Sequence, residues 1–73
     1  MSRKQRRLTD REVIKILQKN GFELLSQKGS HQKWKNPVTG KKVIVPYHGG
    51  NQLPIGTLKS IINGSGLDES EWE

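Results

Sequence analysis

Not one cysteine occurs in this chain, and that absence decides how it must hold itself together. A sequence of 73 residues makes one domain with a thin core. Small domains are often reinforced by disulfides or thiolate-bound zinc, and neither is open here. Hydrophobic residues make up only 30%, with one Phe, one Tyr and two Trp. Regular secondary structure, alone or with a partner chain, must therefore supply the stability. Cysteine nucleophiles are excluded as well.

The apolar residues are spaced for such a fold. Val13, Ile14, Ile16 and Leu17 recur at helical spacing and predict an amphipathic helix. Thr9 and Glu12 stand at capping-box spacing, Leu8 and Val13 occupy the staple positions, and Asn20-Gly21 supplies the stop. A strand is expected over about 22–27, with Phe22 and Leu24 turned to the core. Gly29-Ser30 allows a turn into a second strand over about 31–36. Pro37-Val38-Thr39-Gly40 reads as a hairpin connection, and a third strand, β-branched at its centre, covers 41–47. Pro46 marks that strand as ending early or lying at an edge.

A second helix is expected over about 54–63, burying Leu58, Ile61 and Ile62 and ending at Gly64 and Gly66. Leu67 then packs back, and Asp68 and Glu71 are placed to cap a short terminal turn carrying Trp72. The order α-β-β-β-α predicts an α+β, two-layer domain: a three-stranded antiparallel sheet with two helices on one face. It divides into a basic arm over 1–7, a folded core over 8–67 and an acidic tail over 68–73.

Charge points to the class of partner. The net charge is +6, and four of the seven acidic residues lie in the last six positions. Such an imbalance in a small domain favours a polyanion, nucleic acid first, although it is a footprint and not a site. The longest apolar run, Val43-Ile44-Val45, is far too short to span a membrane, and no signal peptide follows Met1. A cytoplasmic protein is expected, with no membrane partner and no small-molecule cofactor.

Strand alternation locates the chemistry. Trp34, Val43 and Val45 belong inside, so His31, Lys33 and Lys35 face outward. If the hairpin pairs Asn36 with Lys41, then His31 opposes Pro46, His48 lies diagonally beside it, and Lys42 joins the outer face. Metal-free RNA cleavage requires a base for the ribose 2′-OH and an acid for the leaving 5′-oxygen, and an imidazole serves either task. Lysines stabilise the charge that builds on the phosphorus. Two histidines with few nearby acids make a poor metal site. Spacing alone leaves three readings open: a ribonuclease, an RNA-binding module in which His31 is incidental, or a protein-interaction domain.

Gly29-Ser30-His31, the strand ending before Pro37 and Gly40, Val43-Ile44-Val45-Pro46 and Leu53-Pro54-Ile55-Gly56-Thr57-Leu58 together resemble the HicA toxin family over about residues 8–67. The resemblance implies a double-stranded-RNA-binding-domain-like fold and an mRNA-cleaving endoribonuclease toxin that needs no metal and no ribosome. It implies a cognate HicB-type antitoxin as partner. It puts the family's catalytic histidine on His31, with Gly29 and Ser30 shaping its turn and His48 as an auxiliary candidate. Lys28, Lys33, Lys35 and Lys42 are then the RNA-binding residues. Two departures stand out: Gly49-Gly50-Asn51-Gln52, where more charge is usual, predicts a looser loop beside His48, and Ile55 stands where a basic residue is common.

Overall fold

The computed structural model describes residues 7–73, so the expected basic arm lies, Arg7 apart, outside the described residues. The chain runs through α1 (Asp10–Lys19), β1 (Glu23–Lys28), β2 (His31–Lys35), β3 (Lys42–Pro46), α2 (Ile55–Ser65) and a terminal 3₁₀ turn (Glu69–Trp72). The strands form one antiparallel sheet in the order β1-β2-β3. With its two helices this is an α+β fold of the double-stranded-RNA-binding-domain-like kind.

Both halves of the capping box start α1. The Glu12 N–H donates to Thr9 Oγ1 at 3.1 Å, and the Thr9 N–H donates to Glu12 Oε1 at 2.9 Å. Leu8 and Val13, the staple pair, are wholly buried. Asn20 closes the helix and Gly21 leaves it at φ +89°.

Val13 and Leu17 of α1 and Leu58 and Ile61 of α2 meet Trp34, Val43 and Val45 of the sheet, so both helices cover the same face. Burial of each such side chain stabilises by about 1.5–3 kcal/mol. Trp72, wholly buried, joins this core from the terminal turn, and Asn20 Nδ2 donates to Glu71 Oε1 at 3.0 Å to hold the turn against α1. Asp68 caps it, accepting the Ser70 N–H at 2.9 Å.

Two expectations need correction. Leu24 is 48% exposed instead of buried. Its register partner is Trp34, so it does sit on the inner face, but the helices lie over β3 and leave β1 uncovered. A bulge between Leu24 and Ser26 also exposes Leu25 at this free edge. The second correction concerns α2, which runs through Gly64 and ends at Ser65, with Gly66 as the left-handed cap at φ +70°. A Cβ at Gly64 would stand 3.3 Å from Val43 Cγ1, so this glycine sets how closely α2 approaches β3.

Candidate active site

The turn that presents His31 is two residues long. Lys28 pairs with His31 across it, leaving Gly29 and Ser30 as the loop. Gly29 takes φ +59° at the leading position, where glycine is the residue that tight hairpins of this kind use. The turn is held on two sides: Gln27 Nε2 donates to Gly29 O at 3.1 Å, and the Tyr47 N–H donates to Ser30 O at 2.6 Å. His31 therefore starts β2 from a fixed backbone.

Register sorts the side chains into rows. Asn36 N–H donates to Lys41 O at 2.9 Å, so the hairpin pairs these two residues and His31 opposes Pro46. Across the outer face, Lys28, His31 and Pro46 form one row. Ser26, Lys33 and Ile44 form the next, and Glu23, Lys35 and Lys42 the third. On β2 and β3 successive rows lie two residues apart, roughly 7 Å. His31, Lys28, Lys33 and Lys42 are exposed and Lys35 is half-buried. Four ammonium groups and one imidazole thus share a single surface, with Glu23 as its one carboxylate among these rows.

The opposite face carries a polar chain that the sequence reading missed. Trp34 Nε1 donates to Gln32 Oε1 at 3.1 Å, and Gln32 Nε2 donates to Gln27 Oε1 at 3.3 Å. Gln27 then reaches the Gly29 carbonyl, so hydrogen bonds lead from the core to the turn beneath His31. Gln32, only 8% exposed, sits at inward parity between Gln27 of β1 and Val45 of β3, and that parity was its one available signal.

His48 lies two residues beyond the end of β3, in the loop leading to α2, and is exposed. Its backbone N–H donates to Asp10 Oδ2 at 2.6 Å. Among the described residues no hydrogen bond joins its ring to His31. The glycine loop is anchored on the start of α1: the Asp10 N–H donates to Asn51 O at 3.0 Å, and the Leu53 N–H to Leu8 O at 3.0 Å. These bonds brace a segment whose composition predicted looseness.

Beside the lysine rows, Lys33, Lys42, Val43 and Ile44 meet Thr57, Ser60, Ile61 and Gly64 of α2 around an open cleft of about 340 Å³. Its signal was absent from the sequence, because it joins segments far apart in the chain. Among the described residues no group of three or more His, Cys, Asp or Glu is gathered to hold an ion. Nor, among them, is any helix long and apolar enough to cross a membrane.

A family model described as the HicA toxin of bacterial toxin–antitoxin matches residues 11–67. That span runs from the first turn of α1 through Leu67 and includes the Gly29-Ser30-His31 turn, the outer lysines and His48. Among curated proteins none matches the chain.

Proposed function

Because the chain belongs to the HicA toxin family of bacterial toxin–antitoxin systems, we propose that it is a cytoplasmic, metal-independent endoribonuclease that cleaves mRNA and so blocks translation. The family implies a cognate antitoxin, and in this reading a HicB-type partner covers the outer face of the sheet. The supporting observation is the row Lys28–His31, with Lys33 in the next row: an exposed imidazole at the start of a strand, with lysines on the same face.

Cleavage needs two proton carriers and cations to hold the phosphate. The ribose 2′-OH attacks the adjacent phosphorus as a base removes its proton. The P–O5′ bond breaks as an acid supplies a proton to the leaving oxygen, giving a 2′,3′-cyclic phosphate and a 5′-hydroxyl end. His31 carries one of these protons, and His48 is the candidate for the other. Lys28, Lys33, Lys35 and Lys42 hold the backbone and offset the charge developing on the phosphoryl oxygens. Gly29 and Ser30 act on the reaction by fixing the turn.

The test is a gel assay of wild type and His31→Ala, prepared identically, on single-stranded RNA in excess EDTA. Cleavage by wild type alone is expected. The same basic face also suits a non-catalytic RNA-binding module, and that reading takes over if both proteins bind RNA and neither cuts it.

A further inference from the structure

Asp10 is wholly buried at the start of α1, and it grips the His48–Asn51 segment from both ends. Its Oδ2 accepts the His48 N–H at 2.6 Å, while its own backbone N–H donates to Asn51 O at 3.0 Å. The two residues between are Gly49 at φ +76° and Gly50 at φ +120°, and glycine, lacking a Cβ, gives the segment little stiffness of its own. Asp10 Oδ1 is buried with no hydrogen-bond partner among the described residues, a costly arrangement for a polar atom. A helix start needs an N-cap, which Thr9 already supplies, so capping does not account for a second buried polar side chain.

Resting on the ribonuclease reading above, we infer that Asp10 is a positioning residue that fixes His48 beside His31 for the second proton transfer. The backbone continuity supports this: Ser30 O holds Tyr47, Tyr47 precedes His48, and Asp10 holds His48. His31 and His48 are thus each one residue from a backbone clamp, and the two clamps are adjacent in the chain. Without the carboxyl, the glycines let the His48 backbone drift. A displacement of about 1 Å in a catalytic group is enough to cost up to about a hundredfold in rate.

The experiment measures steady-state cleavage of an RNA oligonucleotide in EDTA by the full chain as wild type, D10A, D10N, H48A and D10A/H48A. D10A is expected to lower kcat about ten- to a hundredfold with KM near the wild-type value. D10N is expected to restore most of it, since the amide oxygen accepts the same N–H. The double variant should be no slower than H48A, because Asp10 acts only through His48. Wild-type kcat in D10A or H48A, D10N as impaired as D10A, or losses that multiply in the double variant would each overturn the inference. An NMR reading on wild type keeps the question open to test should D10A not fold: the His48 amide must be protected from solvent exchange, and a freely exchanging amide overturns the clamp. If wild type cleaves no RNA, the ribonuclease reading itself fails and this inference falls with it. Active wild type beside fully active D10A removes the Asp10 inference alone.

Discussion

The Trp34 indole N–H ends on Gln32 Oε1, 3.1 Å away and under the helices, so the core of this small sheet is closed by a hydrogen bond as well as by apolar contact. Gln32→Leu keeps the volume and removes the acceptor. A buried donor left unpaired costs about 1–3 kcal/mol. Urea denaturation should show a lower midpoint with an unchanged slope. A midpoint equal to wild type would mean that the indole needs no partner there.

Gly29 and Gly66 allow stability to be separated from activity. Their φ values are +59° and +70°; a Cβ at Gly29 would meet nothing within 4 Å, and one at Gly66 would meet the flexible Lys41 side chain, at 3.4 Å. Alanine at either position should destabilise by about 1–2 kcal/mol, through backbone strain. Only Gly29→Ala should also slow RNA cleavage, because only that turn carries His31. Equal activity loss in both variants would show that strain at Gly29 acts globally and not through the histidine.

Much of this fold is legible because its signals are local. The capping box, the stripe on α1 and the two-residue parity that sends His31, Lys33 and Lys35 outward all depend on residues a few positions apart. The errors arise where distant segments meet. Leu24 has the parity of a core residue, and only the lateral position of the helices over β3 leaves it exposed. Gly64 has the look of a helix stop, yet its contact with Val43 makes it an interior packing position. Asp10 reads as an ordinary first-turn acid; its bond to His48 spans 38 residues, and no pattern in either segment announces it.

The outer lysines should act through the phosphate backbone and not through individual bases. Replacing Lys33 or Lys42 with Gln should weaken RNA binding to a similar degree on unrelated sequences. Each replacement should also lower the slope of log K against log salt by about 0.7 on single-stranded RNA. Lys19→Gln, in the last turn of α1 in the other layer, is the control and should leave the slope unchanged. Binding measured by fluorescence anisotropy over a salt series decides this. An equal effect from Lys19 would mean that net charge, and not the outer face, drives association.

The acidic C-terminal segment offers a sharper test, since Trp72 on its own admits two roles. As a docking aromatic it would be exposed, and its removal would leave the free protein as stable as before. It is instead wholly buried among the core residues, and its turn is bonded to the end of α1 through Asn20 and Glu71. Trp72→Ala should then cost about 3–5 kcal/mol. A chain of 73 residues has a total stability on the order of 4–11 kcal/mol. The variant should lose at least about 12 °C in Tm, measured by circular dichroism, and approach the unfolded state near physiological temperature. A melting curve that overlays wild type would return Trp72 to the surface role and remove the terminal turn from the core.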